Sequence, residues 1–193
     1  MTGDGSSDEH LVARAVDGDE AAFEQLVVRY NGRARRLAFG FVRDAEAAED
    51  VAQEAFLRAY RKLSTLGERA SFRSWLFQIV ANRARDELRR RKVRRESADL
   101  EEAERVESDD VPPDVRAYRS ALSKRIRELI DELPEKSRTP LLMKETGEMT
   151  YAEIAEALGI PMGTAQIRIH RARLKIRSQL DELGLLPSAG EEE

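Results

Sequence analysis

There is no cysteine in the 193 residues, which excludes disulfides, thiolate metal sites and cysteine nucleophiles. Proline and glycine are scarce, at 6 and 11, and aromatics make up only 6 %. Long alternating runs of the β type are missing as well, so the pattern predicts an all-α fold. No uninterrupted apolar run approaches the ~20 residues that a membrane-crossing helix needs. The amino terminus, MTGDGSSDEH, lacks the basic and apolar parts of a secretory signal. A soluble intracellular protein without membrane insertion is expected. A P-loop and a metal-binding His/Asp set are also missing, so neither an enzyme nor a cofactor is expected.

What the chain does have is charge, and its distribution says more than its sum. Charged residues make up 36 % and the formal net charge is −4. Leu88 to Arg95 reads LRRRKVRR, six basic residues in eight. The following ESADLEEAERVESDDVPPD, Glu96 to Asp114, sets nine acids against one arginine. Blocks of one sign with little apolar material do not pack, so residues 96–116 are read as a flexible acidic linker. Two small helical domains remain, 8–95 and 117–186, with a frayed tail over 187–193.

In the first unit, Asp19 is placed to cap a helix running to Tyr30, with Phe23, Leu26, Val27 and Tyr30 at helical spacing. Asn31-Gly32 is expected to interrupt it before RARRLAFGFV resumes. The segment AEAAEDVAQEAFLRAYRKL buries Ala48, Val51, Ala52, Ala55, Phe56, Ala59, Tyr60 and Leu63 on one face. The opposite face carries Glu46, Glu49, Asp50, Gln53, Glu54 and Arg58 around an exposed Leu57. Such a face is either solvated or a docking surface for a basic partner anchored by Leu57. Ser64–Ser71 reads as a polar loop. The helix after it lines Phe72, Trp75, Leu76, Ile79, Val80 and Ala84 inward. Arg73, Gln78, Asn82, Arg85, Asp86, Arg89 and Arg90 are expected outside. Its basic end exceeds what a helix dipole needs and suits phosphate contacts. Asn82 and Asp86, one turn apart, offer an amide and a carboxylate to base edges.

In the second unit, Leu122, Ile126, Leu129, Ile130 and Leu133 form a stripe that Pro134 stops. EKSRTPLLMKETGE is a further helix, in which Pro140 is tolerable only in the first turn. Thr150 and Glu153 form a capping box, Ile154, Ala155 and Leu158 face inward, and Gly159 permits a tight turn. Pro161 opens the next helix, which turns Ala165, Ile169, Ala172, Ile176 and Leu180 inward. Capping, turn and spacing together are a helix-turn-helix. The outer face carries Thr164, Gln166, Ile167, Arg168, His170, Arg171 and Arg173. Gln166 suits adenine, an arginine suits guanine, and His170 suits a phosphate or base. Ile167 either meets a thymine methyl or packs on a neighbouring helix.

FEQLVVRY, AEDVAQEAFLRAYRKL and FRSWLFQIVANRARDELRRRK resemble the second conserved region of bacterial RNA polymerase sigma factors of the extracytoplasmic-function (ECF) group. LPEKSRTPLLMKETGEMTYAEIAEALGIPMGTAQIRIHRARLKI is similar to their fourth. The resemblance implies a non-catalytic protein that binds core RNA polymerase and directs it to promoters by recognising −10 and −35 elements. It implies polymerase contacts, on the β′ clamp helices, at Asp50, Gln53, Glu54, Leu57 and Arg58. The −10 DNA is assigned to Asn82, Arg85, Asp86, Arg89 and Arg90, with a flipped base taken up near the Ser64–Ser71 loop. The −35 duplex falls to Thr164, Gln166, Ile167, Arg168, His170, Arg171 and Arg173. It further implies β-flap contact by the fourth region, a linker in the RNA exit path, an anti-sigma factor as partner, and a cytoplasmic, nucleoid-associated site of action. The family often carries Lys or Arg where this chain has Gln166, and Ser where it has Ile167. The rival reading is a stand-alone helix-turn-helix regulator.

Overall fold

The computed structural model describes residues 6–67, 71–96 and 113–185, with only the backbone described at 92, 94–96 and 113–120. Among the described residues the long elements are eight α-helices. The first four are α1 (Asp8–Val16), α2 (Glu20–Val42), α3 (Ala45–Lys62) and α4 (Phe72–Glu96). After them come α5 (Pro113–Asp131), α6 (Glu135–Glu145), α7 (Tyr151–Leu158) and α8 (Met162–Glu182). A short 3-10 turn, Leu63–Thr65, follows α3. The all-α reading holds.

Local chemistry sets the boundaries. Asp19 accepts from Ala22 N at 3.2 Å to start α2, and Asp44 accepts from Ala47 N at 2.7 Å to start α3. Between these helices Arg43 takes a left-handed φ of 55°, turning the chain back so that α3 packs against α2. Helices α2, α3 and α4 then pack pairwise around Leu26, Leu37, Ala52, Ala55, Leu76 and Val80, all out of contact with water. Alanine recurs along α3, so the helix backbones come close and the core stays thin.

Several expectations need correction. Helix α2 runs unbroken through Asn31-Gly32. A mid-helix glycine costs about 1 kcal/mol, and burial of Tyr30 and Ala34 on either side outweighs it. Tyr60 is not in the buried stripe but 42 % exposed, its ring 4.9 Å from that of Phe23. On α4, Phe77 is fully buried and Trp75 only half-buried. The first turns of α4 are thus apolar on more than one side, because a second set of helices packs there. The Arg73 side chain, expected outside, is about four-fifths buried for the same reason.

Pro140 lies beyond the first turn of α6 and is fully buried. The carbonyl that loses its helical donor to Pro140 belongs to Lys136, an exposed residue. Pro161 is the N-cap of α8 rather than its first residue. The expected linker falls outside the described residues except at its edges: Glu96 ends α4, and Pro113 to Arg116 already belong to α5. The expected tail, 187–193, lies outside them too.

Helices α6, α7 and α8 form the second set, with α5 against α8. They do not stand apart from the first. α7 and α6 lie on α4, α6 lies on α2, and one continuous buried cluster runs from Leu11 through Phe77 to Met143, Ile154 and Ile169.

Candidate functional site

The helix-turn-helix is built as its sequence requires. Thr150 Oγ1 accepts from Glu153 N at 3.2 Å, and Glu153 Oε2 accepts from Thr150 N at 2.7 Å. Gly159 ends α7 at φ 62°, a conformation natural to glycine. Ala165, Ile169 and Ala172 are buried against α6 and α7. That leaves Gln166, Ile167, His170, Arg171 and Arg173 outward, with Thr164 and Arg168 half-buried at the edges. Ile167 is 52 % exposed on this face. Met162 and Leu174, missed in the sequence, are exposed on the same helix. Arg173 is held by Glu145, its Nη2 at 2.5 Å and its Nε at 2.9 Å. That pairing raises the Arg173 pKa further. Arg168, His170 and Arg171 make no side-chain bond among the described residues.

On α4 the assigned residues divide. Asn82, Arg85, Asp86 and Arg89 line one open pocket of about 500 Å³, floored by Trp75 and Ile79. Arg58, Lys62 and Thr65 close its far side. Arg90 points elsewhere, 3.7 Å from Glu87. Within the pocket Arg85 bonds Asn82 Oδ1. Arg85 also reaches Glu135 Oε1 at 2.5 Å, and Arg89 reaches Glu135 Oε2 at 3.5 Å. The pocket therefore joins polar readers, an apolar floor and four cations, one side already met by a carboxylate from the second set of helices.

The outer face of α3 also divides. Gln53 and Leu57, the latter 57 % exposed, line an apolar groove of about 490 Å³ against Phe23, Val27 and Tyr60. Glu20, Glu24 and Glu49 rim it with negative charge. Asp50 is exposed beside it. Glu54 is instead tied to Arg83 of α4, and Arg58 belongs to the pocket. The α2 wall of this groove was not assigned from sequence, although Phe23 and Val27 sit one turn apart. They read there as core alone.

A helix-turn-helix with a cationic outer face, joined to a helical unit carrying a second cationic pocket, defines a DNA-binding protein of transcription. The chain matches two family profiles, Sigma-70 region 2 over residues 26–94 and Sigma-70, region 4 over residues 123–176. It is 37 % identical to the RNA polymerase sigma-H factor of Pseudomonas aeruginosa over 183 residues, covering 91 % of this chain and 95 % of that one. It is 35 % identical to the ECF RNA polymerase sigma factor SigW of Bacillus subtilis, covering 86 % and 92 %. The ECF RNA polymerase sigma-E factor of Escherichia coli K12 is 34 % identical, at 92 % and 96 %. Among solved structures it is similar to CnrH in complex with the cytosolic domain of CnrY, with TM-score 0.69 and 28 % identity over 92 % of this chain and 99 % of that one. The chain belongs to the ECF group of RNA polymerase sigma factors. It is a factor for promoter-specific transcription initiation with RNA polymerase, and the reading as a stand-alone regulator is not favoured.

Proposed function

We propose that three surfaces divide the work of initiation. The pocket of Asn82, Arg85, Asp86 and Arg89 takes a base and its phosphates from the opened −10 element. Unpairing costs least in A·T-rich DNA, and Trp75 offers a ring for the extruded base to meet. The outer face of α8 reads the −35 duplex, with Gln166 and Ile167 on base edges and Arg168, His170, Arg171 and Arg173 on phosphates. The groove around Leu57, with Asp50 and Gln53, docks on the β′ clamp helices of core polymerase. Glu54 and Arg58 join that contact only from its α4 side. The fourth region would meet the β-flap, and the acidic segment would run in the RNA exit path.

Units 8–95 and 117–186 are the functional halves in this reading, with Arg90 a backbone contact beside the pocket. The chain is non-enzymatic, acts in the cytoplasm at the nucleoid, and has an anti-sigma factor as its negative partner. The observation that carries the reading is the convergence of Asn82, Arg85, Asp86 and Arg89 on one pocket. Promoter selection from a randomised library by the holoenzyme tests it. Asn82→Ala or Asp86→Ala shifts the −10 consensus alone, and Gln166→Lys with Ile167→Ser shifts the −35 consensus alone. Unchanged consensus sequences in all variants would overturn it.

A further inference from the structure

Asp8 stands in the first turn of α1, where an acid suits the helix dipole and needs no further partner. Its side chain is nevertheless only 20 % exposed, and both carboxylate oxygens are taken by α2. Oδ1 accepts from Arg29 Nη1, and Oδ2 accepts from the Tyr30 hydroxyl. Arg29 Nη2 also donates to the Ser6 carbonyl at 2.9 Å, which holds the residue before the α1 cap.

Beyond Tyr30 the contacts continue ring by ring toward the α4 pocket. The buried Tyr30 ring lies 5.8 Å from that of Phe72. Phe72, also buried, opens α4, and its ring lies 6.2 Å from that of Trp75. Trp75 lines the pocket together with Ile79, Asn82 and Arg85. Ring separations of roughly 4.5–7 Å are those at which aromatic pairs interact by geometry as well as by area. Burial, and after it the bond to Asp8, pushes the Tyr30 hydroxyl's pKa up, so near neutrality it remains a protonated donor. Close-packed interiors transmit such a displacement instead of absorbing it.

Resting on the −10 reading above, we propose that Asp8 is a positioning residue for the −10 pocket, acting through Tyr30 and Phe72 on Trp75. Asp8 does not itself line that pocket. By fixing the Tyr30 hydroxyl it fixes the ring, and Phe72 carries that placement to the ring offered to the extruded base. A site discriminates only while its groups are held within about 0.5 Å by the shell behind them. Loss of Asp8 therefore weakens −10 binding although every pocket side chain is still present. The other end of α1 does not share the role. There Arg14 pairs with Asp19 at 2.6 Å, a tie to α2 that involves none of these rings.

Trp75 is the chain's only tryptophan, so its fluorescence reports on the pocket directly. Asp8→Ala in the free chain should shift Trp75 emission to longer wavelength and raise its quenching by iodide, with helical circular dichroism unchanged. In holoenzyme it should weaken binding of a single-stranded oligonucleotide carrying the selected −10 sequence about tenfold, the scale of one charge-assisted hydrogen bond. Affinity for a −35 duplex should stay the same. Tyr30→Phe should reproduce both effects, and adding it to Asp8→Ala should cost nothing more, since both remove one bond. If Asp8→Ala loses helix, Tyr30→Phe alone carries the test. Asp8→Asn, which can still accept from the hydroxyl, should stay close to wild type, as should Arg14→Ala. Unchanged Trp75 fluorescence or unchanged −10 affinity in Asp8→Ala would overturn the proposal, as would an equal loss in Arg14→Ala. Asn82→Ala separates the two readings. If it leaves −10 binding unchanged, the pocket assignment fails and the positioning role with it. If it weakens −10 binding while Asp8→Ala does not, only the positioning role fails.

Discussion

Arg73 on α4 donates to Glu153 Oε1 at 2.9 Å, while the other oxygen of Glu153 accepts from the Thr150 backbone at 2.7 Å. One carboxylate thus closes the cap of α7 and binds it to the first set of helices. Both side chains are about four-fifths buried, so neither role is screened as a surface pair would be. Glu153→Ala removes both and is expected to lower unfolding free energy by about 1–3 kcal/mol in urea titration. Glu153→Gln, which can still close a capping box, should cost less.

Phe77 is the side chain through which the two sets share a core. Fully buried, it lies 6.3 Å from the Tyr30 ring and against Gly147. Phe77→Ala should destabilise by about 3–5 kcal/mol. Gly147→Ala drives a methyl to 2.7 Å from the Met143 carbonyl, a conflict that a shift of side chains does not relieve. A lower melting temperature in both variants is the expected result.

If Arg173 contacts the −35 phosphates as proposed, Glu145 competes with DNA for it. Glu145→Gln should strengthen binding of holoenzyme to a −35 duplex, read by fluorescence anisotropy. Adding Arg173→Ala in that background should remove one phosphate contact and reduce the salt slope by about 1.

The closed packing should be insensitive to pH near neutrality and weaken in acid. Hydrogen bonding from Arg33, with the charge of Arg36, holds the Glu148 carboxyl below its ordinary range. A lowered folded value means the stabilisation is present above the ordinary carboxylate pKa and lost as pH falls through the lowered one. Asp131 works against this, since burial pushes its carboxyl up despite Arg43 and Arg138. Energy transfer between dyes carried on Asp17→Cys and Ser178→Cys, in a chain without native cysteine, should stay flat from about pH 8 to 5 and decline below that.

The apolar groove gives the proposed docking face a second wall, from Phe23 and Val27 of α2. Leu57→Ala with Asp50→Arg should weaken binding to core polymerase at least about tenfold, as should Val27→Glu on the α2 side. Equal affinity for wild type and both variants, measured by titration with labelled core, would mark the face as merely solvated.

Much of this was legible in the sequence because its signals are local. The Thr150–Glu153 box, Gly159, and the inward spacing of Ala165, Ile169 and Ala172 each depend on a few neighbouring residues. The exposed Leu57 followed from one helix period. What escaped depends on contacts distant in the chain. The sequence reading of α4 omits Phe77 and sets Arg73 outside, because it assumes one apolar face where the helix packs on two sides. Gly32 reads as a break and Pro140 as tolerable only in a first turn, yet tertiary burial carries the helices through both. Arg58 and Glu54 share a face with Asp50 in sequence, but α4 draws them away from it. Glu135 carried no signal at all, since its meaning lies in the arginines fifty residues before it.

Promoter selection is proposed to need this chain and core polymerase together. Run-off transcription from a promoter library, with purified core polymerase and with or without the chain, tests that directly. The account predicts discrete start sites only when chain and core are both present, with little promoter affinity in the chain alone. Tight, specific promoter binding by the free chain, with no new transcripts from core, would contradict it.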